Sequence, residues 1–129
     1  MFGKKNESMG VGRIDSLLGA GARIEGNIIF SGGLRVDGEV KGDVKAAPDS
    51  GASTLVLSEH ARIEGGVAVG HLVINGVVVG PVHVSGLLEM QGKAKIIGDV
   101  SYAVIEMHQG AVIEGRLLHL SEQTAEKPA

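Results

Sequence analysis

Ala61-Arg62-Ile63-Glu64-Gly65-Gly66-Val67 decides how this chain folds, because the pattern returns. It stands earlier as Ala22-Arg23-Ile24-Glu25-Gly26-Asn27-Ile28. Later it stands as Ala94-Lys95-Ile96-Ile97-Gly98-Asp99-Val100 and again as Ala111-Val112-Ile113-Glu114-Gly115-Arg116-Leu117. The shared core is Ala-x-Ile-x-Gly-x-aliphatic. Side chains alternate along an extended strand, so the Ala, the Ile and the last aliphatic face one side. The Gly interrupts that alternation and marks a corner or a close backbone approach. A strand-corner unit that repeats is the signature of a coil stacked on itself.

The spacing of corresponding glycines sets the coil length. Gly98 and Gly115 are 17 residues apart, Gly80 and Gly98 are 18, Gly26 and Gly42 are 16, and Gly42 and Gly65 are 23. A coil of about 17 residues with three short strands predicts a triangular β-helix. With neighbouring strands about 4.8 Å apart, six coils make a rod about 29 Å long. The expectation is an all-β, single-domain solenoid. Residues 16–120 form the β-helix, 1–15 a flexible N-terminal tail and 121–129 a flexible polar C-terminal tail. No coil can bury its apolar face alone, so stacking is what stabilises each one.

Composition agrees. The chain has 129 residues, 21 of them glycine, against only two Phe, one Tyr and no Trp. The core must be built from Val, Ile, Leu and Ala. The glycines have no period of three, which excludes collagen. With no cysteine there is neither a disulfide nor a thiolate metal site. No apolar run approaches about 18 residues, and the N-terminus lacks the apolar stretch of a secretory signal, so the expected location is the cytoplasm. Net charge is −3. The body is mildly acidic and poor in aromatics, which excludes a nucleic-acid platform.

Outside the repeated motif the pattern holds with local changes. Leu34, Val36, Val40 and Val44 alternate with charged residues, giving one buried and one solvated face. Residues 45–53 (KAAPDSGAS) break the pattern with turn formers and read as a loop bulging from the stack. Val77, Val78 and Val79 in succession place one valine outward. Glu25, Glu64 and Glu114 share one motif position and line a solvated face with Arg23, Arg62 and Arg116 nearby.

The search for chemistry finds no site. Gly86 to Lys93 is not a phosphate loop: five residues separate Gly86 from Gly92, and Ala94 stands where a magnesium-binding Ser or Thr is needed. His60, His71, His83, His108 and His119 lack ligand spacing and form no column, so no metal and no cofactor are expected. Six-residue glycine spacings at 70 and 76, and at 86, 92 and 98, raise a rival reading: a hexapeptide-repeat acyltransferase with a left-handed β-helix. Glycine gaps of four at 38–42 and 76–80 break that hexad.

The order Leu34-x-Val36-Asp37-Gly38-x-Val40-x-Gly42-x-Val44, then Leu55-x-Leu57-x4-Arg62-Ile63-x-Gly65, then Leu72-x-Ile74-x-Gly76-x3-Gly80, resembles the bactofilins from about Ser16 to Leu120. The resemblance implies a right-handed β-helix that polymerises end to end without nucleotide. It implies a non-enzymatic cytoskeletal scaffold, peripheral on the inner membrane and tied to cell shape and to cell-envelope or peptidoglycan enzymes. Family members often carry a Phe near the C-terminal end of the helix that takes part in assembly. This chain has Leu117, Leu118 and Leu120 there, so the end contact carries over by region only.

Open β-helix ends leave backbone groups unpaired and core columns bare. The expected assembly residues are therefore Leu17 and Leu18 at one end and Leu117, Leu118 and Leu120 at the other. Leu118→Arg or Leu120→Arg is expected to give folded monomers or dimers. Met1 and Phe2 with Lys4 and Lys5 read as a weak membrane tag. Phe2 contributes about 1.5–3 kcal/mol if fully buried, and each Lys about 1 kcal/mol near an anionic surface.

Overall fold

The computed structural model describes residues 14–48 and 52–120. Sixteen strands follow one another without a helix among them. They are β1 (Ser16–Leu18), β2 (Arg23–Glu25), β3 (Ile28–Phe30), β4 (Gly33–Val36), β5 (Glu39–Lys41), β6 (Val44–Ala46), β7 (Thr54–Leu57), β8 (Arg62–Glu64), β9 (Val67–Val69), β10 (His71–Ile74), β11 (Val77–Val79), β12 (Val82–Met90), β13 (Lys95–Ile97), β14 (Val100–Met107), β15 (Val112–Glu114) and β16 (Leu117–His119). Every pairing is parallel and joins a strand to its counterpart in the next coil. The result is a three-faced solenoid of six coils.

The first face stacks β1, β4, β7, β10 and the C-terminal halves of β12 and β14. The second stacks β2, β5, β8, β11, β13 and β15. The third stacks β3, β6, β9, the N-terminal halves of β12 and β14, and β16. β12 and β14 run through the corner between the third face and the first, so these two faces join into one sheet. A register shift between Val84 and Leu87 absorbs the bend.

The repeated motif does what its alternation predicts: Ala61, Ile63 and Val67 are buried, as are Ala94, Ile96 and Val100. The interior is a set of columns. On the second face Ile24, Val40, Ile63, Val78, Ile96 and Ile113 stand over one another. On the first face Leu18, Val36, Leu57, Ile74, Met90 and Met107 do so. On the third face the column is Ile28, Val44, Val67, Val82, Val100 and Leu117. Ile63 lies fully buried mid-stack. We expect Ile63→Ala to cost about 2–5 kcal/mol, read as a lowered urea midpoint; a midpoint unchanged from wild type would contradict that packing.

Two corner devices hold the coils in register. The first is a column of glycines, Gly26, Gly42, Gly65, Gly80, Gly98 and Gly115, all with φ between +140 and +155. A side chain on Gly65 would strike the carbonyl oxygen of Gly42, and one on Gly98 that of Gly80. The second device is the residue just past each of these glycines. The Asp43 N–H donates to Asn27 Oδ1 (2.9 Å), the Gly66 N–H to Asp43 Oδ1 (2.8 Å) and the Arg116 N–H to Asp99 Oδ1 (3.0 Å). The ladder of side-chain acceptors lapses at Gly66 and Pro81 and resumes at Asp99. Gly66 has no side-chain acceptor, and the next corner residue, Pro81, has no N–H to satisfy. We expect Asp43→Ala to cost about 1 kcal/mol, read as a fall in Tm; a rise in Tm would contradict this role.

Three sequence expectations need correction. Val77–Val79 turns two valines outward, not one: Val78 pairs with Ile63 and Ile96 and is buried, while Val77 and Val79 are half-buried on the outer surface. The supposed loop at 45–53 is shorter than its composition implies. Lys45 and Ala46 continue β6. Ser53 is buried in the stack, where its Oγ accepts from the Gly70 N–H (2.9 Å) and its carbonyl from the His71 N–H (2.9 Å). Asp49, Ser50 and Gly51 lie outside the described residues. Finally, the shared glutamate position lines a solvated face as expected, but with Arg23 and Arg62 beside it and not Arg116. Its column reads Glu25, Lys41, Glu64, Val79, Ile97, Glu114, so no two carboxylates are neighbours in it.

The adjacent outer column reads Arg23, Glu39, Arg62 over the same first three coils. Opposite charges therefore meet both along and across the strands, in Arg23–Glu25 (3.6 Å), Arg23–Glu39 (3.7 Å) and Arg62–Glu64 (2.9 Å). Arg116 stands apart, in the corner column. The hydrogen bond from Arg62 outweighs the opposing effect of desolvation and, with the charge of Arg62, holds the Glu64 carboxyl below its ordinary range. The hydrogen bond and charge of Lys93 (2.8 Å) do the same for Glu59. A lowered folded-state pKa adds stability above the unfolded-state value, and that stability is lost as pH falls through the folded-state value. These side chains are well exposed, so Tm should fall only slightly on acidification through the carboxylate range, and Glu64→Gln should flatten that slope.

Candidate assembly ends of the rod

The first coil (β1, β2, β3) and the last (the C-terminal half of β14, β15 and β16) each pair on one side only. Among the described residues, each end therefore presents three strand edges whose N–H and C=O groups have no ladder partner. No described segment covers either edge. The interior columns also stop there. At the first end Leu18, Ile24 and Ile28 are only partly buried, although their counterparts Val36, Val40 and Val44 one coil in are fully buried. At the other end Ile105 and Ile113 are partly buried, Met107 is 45% exposed and Leu117 is 51% exposed, while Val100 directly beneath Leu117 is fully buried.

This geometry separates the five leucines expected at the ends. Leu18 and Leu117 occupy interior columns and form part of the two end faces. Leu17 pairs with Arg35, and Leu118 with Ser101, in columns that face outward; both are about 60% exposed, on the rims. Leu120 follows β16, half-buried, with its N–H donating to the Tyr102 carbonyl (2.7 Å). Met1, Phe2, Lys4 and Lys5 lie outside the described residues.

Sequence reading missed Ile24 and Ile28 at one end and Ile105, Met107, Ile113 and His119 at the other. His119 tops the column of Val84 and Tyr102. Its ring lies 5.6 Å from that of Tyr102, and its Nε2 is 2.9 Å from the Ala103 carbonyl oxygen. The signal that could have found these residues was present: once the coil offsets are known, each end residue follows from the buried residue one offset away. Isolated apolar triplets such as Leu117-Leu118-His119 do not reveal which member points inward.

The geometry suits stacking. A second copy placed on an end could continue three β-ladders and cover the bare ends of the columns. Among the described residues the outer surface carries open grooves, such as the one bounded by Lys45, Ala68, Pro81 and His83. No helix among the described residues is long and apolar enough to cross a membrane.

Comparison with known proteins bears on these ends. The family model described as "Bactofilin: Polymer-forming cytoskeletal" matches residues 16–118. "Bactofilin BacP" of Myxococcus xanthus (strain DK1622) is 24% identical over 119 residues, covering 89% of this chain and 48% of that protein. The chain thus spans about half the length of the curated relative it matches. No solved structure matches.

Proposed function

Because this chain belongs to the bactofilins, the polymer-forming cytoskeletal family, we propose that it is a non-enzymatic scaffold whose rods join end to end into filaments without nucleotide. The observation that carries this reading is the state of the two ends, each with three strand edges that no described residue pairs, over exposed core columns. The coil offsets weigh against an acyltransferase hexad. Along the second face, from Arg23 through Glu39, Arg62, Val77 and Lys95 to Val112, they run 16, 23, 15, 18 and 17 residues. Electron microscopy of the purified chain in nucleotide-free buffer tests the reading. Filaments over a range of salt and concentration are expected; discrete small particles throughout, or a trimer on gel filtration, would overturn it.

The filaments lie on the inner face of the membrane in this reading, and position cell-envelope or peptidoglycan enzymes that shape the cell. The contact is made by Met1, Phe2, Lys4 and Lys5. One such tail binds for a few kcal/mol at most, about 1.5–3 from Phe2 and about 1 from each Lys. A filament presents many tails in a row, and each contact after the first is effectively intramolecular. Deleting residues 2–8 should leave filaments intact but release them from anionic liposomes in sedimentation. A folded, assembly-deficient variant with its tail whole should also stay in the supernatant. Retention of the truncated filament would place the contact elsewhere, and tight binding by the monomer would remove the avidity argument.

A further inference from the structure

The outer column of the first face changes character at its C-terminal end. It runs Leu17, Arg35, Val56, Val73 and then Glu89 and Glu106, registered side by side on β12 and β14. Two carboxylates directly opposite one another in a ladder repel. Among the described residues no Lys or Arg forms an ion pair with either; the one partner is His108, whose Nε2 lies 3.4 Å from Glu89 Oε2. His108 follows Glu106 by two residues, and its N–H donates to the Met90 carbonyl (2.8 Å), which holds it beside the strand. One donor atom from each of Glu89, Glu106 and His108 lies within 4.8 Å of the other two.

We infer that Glu89, Glu106 and His108 form a binding site for a divalent transition metal of the zinc type. Zinc takes imidazole nitrogen at about 2.0–2.1 Å and carboxylate oxygen at about 2.0–2.2 Å, so donors around one tetrahedral ion stand about 3.3 Å apart. The His108–Glu89 pair already has that spacing, and small side-chain rotations bring in Glu106. A divalent charge also neutralises the opposed carboxylates, which a single imidazolium does only by half. The nitrogen donor favours zinc-type ions over calcium and magnesium, which prefer all-oxygen sites. Three protein ligands leave a fourth position open, for water or for a group on another molecule. Glu89 and Glu106 are ladder partners and His108 directly follows β14, so the backbone sets the three side chains side by side before any metal arrives.

The test is titration of the whole 129-residue chain with Zn2+ against a chromophoric chelator, with Co2+ as a spectroscopic probe. One ion per chain is expected. His108→Ala and Glu106→Gln should each weaken binding by at least about tenfold, because even outer-sphere partners contribute about 10–100-fold. His119→Ala, which alters the same end of the rod, should leave binding unchanged, as should excess Mg2+ or Ca2+. Far-UV circular dichroism checks that the variants, changed at exposed or half-exposed positions, remain folded. Absence of Zn2+ binding by the wild type, or wild-type affinity in folded His108→Ala, would overturn the assignment. Binding is read separately from filament formation, so neither result stands in for the other.

Discussion

Leu117→Arg should abolish filaments and leave a folded, soluble monomer or a dimer joined through the opposite end. Leu117 stands over the fully buried Val100 in an interior column and is itself 51% exposed. In a stack, the next copy covers that position and turns it into core. A guanidinium there loses its water without gaining a partner, and a buried unpaired charge costs several kcal/mol. In the free rod the same side chain reaches solvent, so the fold survives. Leu118→Arg separates two explanations. Leu118 points outward from the neighbouring position, over Ser101, so the same charge there should weaken assembly far less, which revises the monomers or dimers expected of it from sequence. Sedimentation velocity and electron microscopy read both variants. Filaments of wild-type length from Leu117→Arg would move the contact off this end face, and equal loss from both would show that rim and face act together.

A single methyl group at the middle of the glycine column should do comparable damage to the fold itself. Gly65 has φ +153, a conformation side chains rarely adopt, and a Cβ there would meet the carbonyl of Gly42 in the coil below. The two costs can be measured apart. Gly26, in the first coil, has φ +140 but nothing within 4 Å of its missing Cβ, so Gly26→Ala reports backbone strain alone, about 1–3 kcal/mol. Gly21 has neither constraint, and Gly21→Ala should change stability by no more than about 0.5 kcal/mol. Gly65→Ala adds the collision. Relief of that collision requires the two coils to separate, at the expense of the bonds that join them, such as Gly42 N–H to Glu64 C=O (2.9 Å) and Val44 N–H to Gly66 C=O (2.9 Å). We expect a loss above about 3 kcal/mol and little folded protein. The order Gly21, Gly26, Gly65 in urea midpoints checks the argument, and equal midpoints for Gly26→Ala and Gly65→Ala would show that coil contact contributes nothing.

These variants also bear on how filaments could form at all. The solenoid stabilises each coil through its neighbours, so its terminal coils are the least supported. Stacking two rods would give both terminal coils the neighbour they lack. The contacts that fold the chain and the contacts proposed to polymerise it are thus of one kind: β-ladders closed over columns of Ile, Val and Leu.

The sequence by itself determined the solenoid, because the information is local. The alternation around Ile63 sets the inward face, Gly65 sets the corner, and the return of both about one coil later requires stacking. The core members Ile63, Val67, Ile96 and Val100 were legible for the same reason. Register between coils was not legible, because corners vary in length and each changes the offset. Only the tertiary structure decided that Val78 points inward and its two neighbours outward, since that follows from the alignment of Val78 with Ile63 and Ile96. It likewise separated Leu117 from Leu118 and interleaved Lys41 between Glu25 and Glu64. It also brought Glu89, 17 residues before Glu106, to the side of Glu106 and His108. Parity along a strand is written in the strand; which residues meet across coils depends on the length of every corner between them.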